Sequence, residues 1–144
     1  MNKKSFSVRY RLNNINIIKF YFNNLNNDKI ETDKLSSEFS VGFNINNDKE
    51  IITIRIGVKI KGKETEQSDI SELLVNYDYH VIGLKNIEQN DDKLKMPDEF
   101  LLSIIAISFS TTRGIFYEKC ARTCLSNFIL PIVNPKDFLR GKKK

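Results

Sequence analysis

PDEFLLSIIAISFSTTRGIFYEKCARTCLSNFILPIVNPKDF, residues 97–138, is the stretch that decides the fold. Pro97 fixes φ, and Asp98 and Glu99 place two carboxylates at a helix start, where the helix dipole favours them. The apolar residues that follow go almost all the way round a helix: Phe100, Leu101, Leu102, Ile104, Ile105, Ile107 and Phe109. Because one sheet cannot cover a helix that is apolar on most sides, we expect a second copy of the chain to cover the rest. The predicted oligomer interface consists of Phe100, Leu101, Ile104, Ile105 and Phe109.

The second half of this stretch predicts where the helix ends. Arg113-Gly114 interrupts the helical pattern, and an isolated glycine eases a kink or break. The pattern resumes to Phe128 and stops at two prolines, Pro131 and Pro135. We therefore predict one long kinked helix, followed by at most one further helical turn.

Alternation with a period of two residues predicts four strands before the helix. In the first strand the alternation slips near Asn13-Asn14, which a bulge or bend would absorb. Asn46-Asn47-Asp48-Lys49 is typical of a hairpin turn, since Asn and Asp tolerate positive φ. Four strands and then one helix predict an α+β fold in which an antiparallel meander is covered on one face.

Each predicted strand has one apolar face. The first carries Phe6, Val8, Tyr10, Leu12 and, beyond the slip, Ile15, Ile17, Ile18, Phe20 and Phe22. The second carries Phe39, Val41, Phe43 and Ile45. The third carries Ile52, Ile54, Ile56, Val58 and Ile60, and the fourth carries Leu73, Val75, Tyr77, Tyr79 and Val81.

The 144 residues predict a single domain over 1–144, with 1–4 and 141–144 as flexible tails. Its 40% hydrophobic and 28% charged residues are typical of soluble globular proteins. No uninterrupted apolar run approaches the roughly 20 residues that span a bilayer, so we expect no membrane insertion. The N-terminal residues lack the apolar core of a signal peptide, which favours the cytoplasm.

The formal net charge of +5 raises a nucleic-acid hypothesis. Basic residues concentrate only at Lys59, Lys61 and Lys63 on the third strand and in the lysine tail 142–144, without interleaved aromatic residues. A solvated strand face and a solubilising tail explain this pattern better than a stacking platform does. Nucleic acid is therefore an unfavoured partner.

The residues that carry chemistry do not converge in the sequence. His80, the one histidine, lies on the more polar face of its strand. Solvation and the helix dipole explain the paired carboxylates Asp91-Asp92 and Asp98-Glu99. Cys120 and Cys124 lie one helical turn apart, where buried small apolar residues are favoured over a disulfide or metal site. We predict no enzyme, no metal site and no cofactor.

The ordered motifs resemble the SecB family of export chaperones. The residues that carry the resemblance are Tyr79-His80-Val81-Ile82-Gly83-Leu84, Arg113-Gly114-Ile115-Phe116 and Leu130-Pro131-Ile132-Val133-Asn134-Pro135. The stretch 110–135 is more similar still to the SecB-like proteins found with some toxin–antitoxin systems. Order and spacing cover most of the chain, whereas the motifs occupy its last third.

The resemblance implies an ATP-independent chaperone, a holdase, that binds non-native polypeptide along hydrophobic grooves. It also implies a homotetramer, a dimer of dimers, with long helices packed between two eight-stranded sheets. The client-binding residues that it implies are Phe20, Phe22, Phe116, Leu130, Ile132 and Phe138. The family's export members dock a translocation motor through carboxylates, whereas Lys59 and Lys61 are basic, so a dedicated client such as an antitoxin is an alternative partner. A nucleic-acid-binding protein or a structural oligomer without chaperone activity is the alternative function.

Overall fold

A long helix packs on one face of a four-stranded antiparallel sheet in the computed structural model of the chain. The model describes residues 9–23, 35–62, 69–86, 89–90, 93–94, 98–123 and 125–139. The predicted α+β class, four antiparallel strands followed by one long helix, is confirmed.

The four strands are β1 (Tyr10–Phe22), β2 (Leu35–Asn46), β3 (Ile51–Gly62) and β4 (Asp69–Val81). Their order across the sheet is β1-β4-β3-β2. The predicted meander is therefore correct for β2, β3 and β4 and wrong for β1, which lies at the edge beside β4. The chain crosses from one edge of the sheet to the other between β1 and β2.

The predicted alternation sets the two faces of the sheet. The inner face, which we define as the face that packs against the helix, takes the apolar residues. Inner-face residues of β3 and β4 have no solvent exposure: Ile52, Ile54, Ile56, Val58, Ile60, Leu73, Val75, Tyr77, Tyr79 and Val81. Burial of this continuous apolar surface is the main favourable term in folding.

Two register shifts keep β1 in phase with the sheet. One lies between Leu12 and Asn14, where the sequence predicts a slip, and a second lies between Ile17 and Lys19. An extra residue turns the following side chains to the other face. Because of these two shifts, Ile15, Ile17 and Phe20 all lie beside inner-face residues of β4.

The β2–β3 hairpin forms at the predicted turn, but the strained residue is a different one. Glu50 has a φ of 55°, whereas Asn46, Asn47 and Asp48 do not have positive φ. Asn46 instead acts through its side chain, because its Oδ1 accepts a hydrogen bond from the Lys49 backbone N at 3.2 Å. The Glu50 carbonyl also accepts a 2.9 Å bond from the Val81 backbone N, which joins the turn to the end of β4.

The helix α1 (Asp98–Cys120) is one uninterrupted element of 23 residues. The predicted break at Arg113-Gly114 and the predicted helical continuation to Phe128 are both wrong. Gly114 is exposed, and Thr112 and Phe116 on either side of it are buried against the sheet. Packing of these neighbours outweighs the roughly 1 kcal/mol helical penalty of glycine. Turns follow Cys120 in place of a further helix.

Short elements complete the described chain. A two-stranded ladder of β5 (Gln89–Asn90) and β6 (Lys93–Leu94) lies in the predicted charged connector. The predicted final turn is present as α2 (Lys136–Leu139). Helix α1 is long and apolar enough to cross a membrane, contrary to the sequence expectation. Length and composition are weak evidence, because the core helix of a soluble protein can have both.

Some predictions concern residues outside the described ranges. These residues are Phe6, Val8, Lys63, Asp91, Asp92, Pro97, Cys124 and the two tails 1–4 and 141–144.

Candidate polypeptide-binding surface

Four hydroxyl groups fix how α1 sits on the inner face. The Tyr77 hydroxyl lies 2.6 Å from Thr112 Oγ1, and the Tyr79 hydroxyl lies 2.7 Å from Ser108 Oγ. Ser108 and Thr112 donate in turn to the carbonyls of Ile104 and Ser108, both at 2.7 Å. Because Thr112 uses its one proton on the Ser108 carbonyl, Tyr77 donates to Thr112. The Tyr79 hydroxyl lies 2.7 Å from Ser108 Oγ and 3.1 Å from the Ile104 carbonyl, so its proton has two acceptors within reach.

These hydrogen bonds satisfy the polar groups at the centre of the molecule. Every buried side-chain nitrogen and oxygen among the described residues has a partner. Burial raises the pKa of Tyr77 to about 12, although its hydrogen bond with Thr112 opposes the shift. Burial likewise raises the pKa of Tyr79. The two phenols therefore stay neutral at physiological pH and hold the helix in one register on the sheet.

In the middle of β1, by contrast, the inner face is open. Ile15 and Ile17 belong to the inner face yet are 43% and 41% exposed. They lie directly across from Tyr77 and Val75, which have no exposure. The start of β1 does meet the helix, since the ring centres of Tyr10 and Phe100 are 5.0 Å apart, so the cover that α1 gives is incomplete only over the middle of the strand.

The segment after α1 presents two large apolar side chains to solvent. Residues 128–134 have no regular secondary structure, and within them Ile129 is 65% exposed and Ile132 is 82% exposed. We call residues 121–135 the C-terminal loop. Exposed apolar side chains of this kind are what an apolar polypeptide segment can bury on binding.

Three contacts hold the C-terminal loop against α1. Leu125 and Leu130 are buried. The Arg113 Nε donates a hydrogen bond to the Leu130 carbonyl at 3.1 Å. The Phe128 ring packs edge-on against Phe116, with ring centres 6.4 Å apart. The Arg-Gly step, which sequence alone takes for a helix break, therefore has a positioning role for the loop.

The short helix α2 is attached through a cluster of three phenylalanines. Phe138 packs on Phe109 with ring centres 5.0 Å apart, and Phe109 packs on Phe39 of β2 at 5.6 Å. The Asn134 Oδ1 accepts a hydrogen bond from the Lys136 backbone N at 3.1 Å, which caps the helix start. The end of the described chain is thus tied to the β2 side of the sheet.

The residues predicted to bind clients do not form one surface. Phe116 and Leu130 are core residues of the described chain. Phe20, Phe22 and Phe138 are partly buried against that core. Only Ile132 is largely exposed.

The predicted oligomer residues are also mostly internal. Phe100, Ile104, Ile105 and Phe109 are buried within the chain, and only Leu101 is partly exposed. The side of α1 that faces away from the sheet instead carries these exposed residues at spacings of four and three: Ser103, Ile107, Ser110, Gly114 and Tyr117. The apolar residues on most sides of α1 correctly indicate a helix of the core, but they do not predict which side of the helix packs on the sheet.

The sequence predicts Tyr117 and Ile129 as surplus apolar surface beyond what one sheet and one helix can cover, and both are exposed. Sequence reasoning missed Ile107, which it counts among the buried residues of the helix. In the described part of the chain, no group of three or more His, Cys, Asp and Glu residues could hold a metal ion.

Comparison with known proteins identifies the fold but no family. No family model matches the chain, and no curated protein is similar to it in sequence. Among solved structures, the chain is similar to the Mycobacterium tuberculosis Rv1957 SecB-like chaperone, solved in complex with a ChAD peptide from the Rv1956 HigA1 antitoxin. The TM-score is 0.54 at 12% sequence identity, over 87% of this chain and 91% of that chain. At this identity the likeness establishes a SecB-like fold.

Proposed function

We propose that the protein is an ATP-independent chaperone, a holdase, that binds non-native polypeptide. The observation that carries the proposal is the exposure of Ile129 and Ile132 on a loop that Arg113, Leu125 and Leu130 hold in place. A soluble domain normally keeps large aliphatic side chains in its core unless they meet a partner. Full burial of each isoleucine against a client would contribute on the order of 1.5–3 kcal/mol.

The client is a segment of unfolded chain that is rich in apolar residues. Hydrophobic burial is non-directional, so two or three such contacts hold many sequences with little selectivity. The structural neighbour was solved with an antitoxin peptide. A dedicated client such as an antitoxin is therefore our first choice, and a preprotein for export is the second. We place the protein in the cytoplasm, with no membrane insertion and no cofactor.

Phe20, Phe22 and Phe138 remain secondary candidates for client contact. They retain some exposure, and the Lys119 Nζ lies 5.9 Å from the centre of the Phe20 ring. Phe116 and Leu130 would reach a client only after the C-terminal loop moves, so the proposal assigns them to the support of the loop.

We further propose that the working form is a homotetramer, a dimer of dimers. Two exposed surfaces favour an assembly: the outward side of α1 and the inner-face residues Ile15 and Ile17 on the edge strand β1. Ser103, Ser110 and Gly114 on α1 are small enough to let a second helix approach closely. An edge strand with exposed isoleucines also tends to pair with another strand, which would extend the sheet.

The test combines assembly with client holding. Light scattering coupled to gel filtration should give the mass of a tetramer. The protein should then suppress the aggregation of citrate synthase during thermal unfolding, without added nucleotide. The double variant Ile129→Ser/Ile132→Ser should lose most of this protection and keep the tetramer. Ile82→Ser is the matched control, because Ile82 is 60% exposed at the end of β4, away from the C-terminal loop.

Three outcomes would contradict the proposal. If light scattering shows a monodisperse monomer at micromolar concentration, the protein does not form the tetramer or the grooves between its subunits. If Ile82→Ser and Ile129→Ser/Ile132→Ser suppress the aggregation of citrate synthase equally well, clients do not bind at the C-terminal loop. Tight binding of single-stranded DNA near physiological salt, without suppression of aggregation, favours the nucleic-acid alternative, since phosphate binding weakens steeply with salt while hydrophobic capture persists.

A further inference from the structure

The sheet face that is turned away from α1, which we call the outer face, contains two adjacent depressions over β3. The first has a volume of about 310 Å³ and the second of about 200 Å³. The residues that line the first are Gly42, Phe43, Asn44, Thr53, Arg55 and Asn76. The second is lined from Glu38, Phe39 and Ser40 on β2 to Glu72 and Leu74 on β4. The proposed chaperone function uses neither depression.

Most charges on the outer face have a partner. Lys19 pairs with Glu72 at 3.2 Å, and Lys61 pairs with Glu38 at 3.4 Å. The Asp78 carboxylate accepts a 2.6 Å hydrogen bond from the Thr53 hydroxyl. These contacts lower the attraction of the paired groups for an added ligand.

Arg55 differs from Lys19 and Lys61 on the outer face, which are paired with glutamates. Its cross-strand neighbours are Gly42 on β2 and Asn76 on β4, and neither carries a charge. Its Nε donates a 2.8 Å hydrogen bond to the Asn76 Oδ1. This bond restricts the plane of an exposed guanidinium and leaves the terminal nitrogens as donors.

Gly42 makes room beside this guanidinium. A Cβ at Gly42 would lie 3.6 Å from the Arg55 Cβ, so any longer side chain there would fill the first depression. A pre-oriented guanidinium above a floor without a side chain suits a carboxylate, which accepts two parallel hydrogen bonds from arginine.

The second depression lies one side-chain repeat further along β3. Gly57 is two residues from Arg55 on the same face, about 7 Å away at the rise of a strand. Its register partners are Ser40 and Leu74. The Ser40 hydroxyl covers Gly57 itself, and Leu74 supplies an apolar wall of the depression. The spacing equals that of residues i and i+2 in an extended peptide, whose side chains point to the same side.

We propose that the outer face docks an extended acidic segment of a partner protein, with one carboxylate on Arg55 and a small apolar side chain two residues away beside Leu74. The chain's net charge of +5 favours fast association with such a segment. Glu38 and Glu72 line the second depression, so the side chain that enters it is uncharged, whereas a continuous phosphate backbone would meet both carboxylates. This surface is on the other side of the sheet from α1, so docking is compatible with a client on the C-terminal loop.

Fluorescence anisotropy of the full chain tests this proposal with a rhodamine-labelled peptide, GSEAVAEGS, and its neutral counterpart GSQAVAQGS. The acidic peptide should bind at least tenfold more tightly than the neutral one. Arg55→Gln should raise its Kd at least tenfold, because the glutamine can still bond to Asn76 but cannot hold a carboxylate bidentately. Arg11→Gln is the matched control: Arg11 is an exposed arginine on the outer face of β1, and its loss should change the Kd less than twofold.

Two further measurements separate this site from its rivals. The loop variant Ile129→Ser/Ile132→Ser should leave the Kd of the acidic peptide unchanged, so failure of the chaperone proposal would not affect the result. Equal losses for Arg55→Gln and Arg11→Gln would show diffuse attraction and overturn the proposal. If a twelve-residue oligothymidylate binds more tightly than the acidic peptide and Arg55→Gln abolishes that binding, the surface is a nucleic-acid site. If the acidic peptide does not bind at millimolar concentration, the proposed site does not exist.

Discussion

The centre and the β1 margin of the inner face carry the same kind of side chain and differ in what covers them. Ile54 and Ile15 both lie beside Tyr77, one on β3 and the other on β1. Ile54 has no exposure, whereas Ile15 is 43% exposed. The hydroxyl bonds of Tyr77 and Tyr79 place α1 over β3 and β4, and the helix leaves the middle of β1 uncovered.

The difference separates two roles of apolar residues in this chain. At the centre they contribute to the stability of the single chain. At the margin, and on the C-terminal loop, they remain exposed. The proposed chaperone function would require both kinds, because a holdase must stay folded while it offers apolar surface.

Substitution of the two isoleucines beside Tyr77 gives the largest expected effect. Ile54→Ala should lower the free energy of unfolding by about 3 kcal/mol, because it removes buried methyl groups and leaves a cavity. Ile15→Ala should lower it by about 1 kcal/mol or less in the isolated chain. Urea denaturation at low protein concentration measures both values.

Protein concentration then sharpens the comparison. If a second copy covers Ile15, the cost of Ile15→Ala rises at concentrations where the assembly forms, while that of Ile54→Ala stays constant. If Ile15→Ala and Ile54→Ala lower the free energy of unfolding of the isolated chain equally, Ile15 is as buried as Ile54.

The inner face was predictable from sequence because strand alternation is local. Every inner-face residue of β3 and β4, and the first bulge of β1, follows from it. The place of β1 beside β4 does not, since pairing partners are set by long-range contacts that leave no period in the sequence. The width of the cover that α1 provides is likewise a tertiary property, so the exposure of Ile15 could not be predicted.

Deprotonation of Tyr77 at alkaline pH gives the second largest effect. Burial raises the pKa of Tyr77 to about 12 in the folded chain, against 10.0 for an ordinary tyrosine. The unfolded chain therefore loses this proton first, so the contribution of Tyr77 to the free energy of unfolding is constant below pH 10 and falls between pH 10 and 12. The expected loss is on the order of 2 kcal/mol. Urea denaturation from pH 8 to 11.5 measures it.

Tyr77→Phe provides the control for the alkaline effect. The Thr112 hydroxyl keeps its bond to the Ser108 carbonyl, so the variant loses one hydrogen bond and about 1 kcal/mol at neutral pH. Its stability should then depend less on pH above 10 than that of the parent. The same slope in both proteins would place the titrating group elsewhere, with Tyr79 as the next candidate because burial also raises its pKa.

The C-terminal loop was only partly predictable. Two prolines correctly indicate a segment without regular secondary structure, and Ile132 between them is exposed. Client contact at Ile132 stays a prediction. The same pattern gives no sign that Leu130 is buried or that Phe138 packs on Phe109. Those contacts depend on how the loop folds back on α1, which a single side-chain bond helps to fix.

That bond gives the last and smallest expected effect. Arg113→Met removes the hydrogen bond from the Arg113 Nε to the Leu130 carbonyl, because methionine has no N–H donor, so global stability should fall by about 1 kcal/mol or less. Amide hydrogen exchange in 126–134 should speed up several-fold while β3 and β4 are unchanged. Protection of unfolding citrate synthase should weaken with it, because the loop no longer holds Ile132 in place.

Arg122→Met, at an exposed arginine in the loop, is the matched control and should change neither measurement. Unchanged exchange in Arg113→Met would show that burial of Leu125 and Leu130 alone holds the loop. Faster exchange with full protection would separate loop order from client binding.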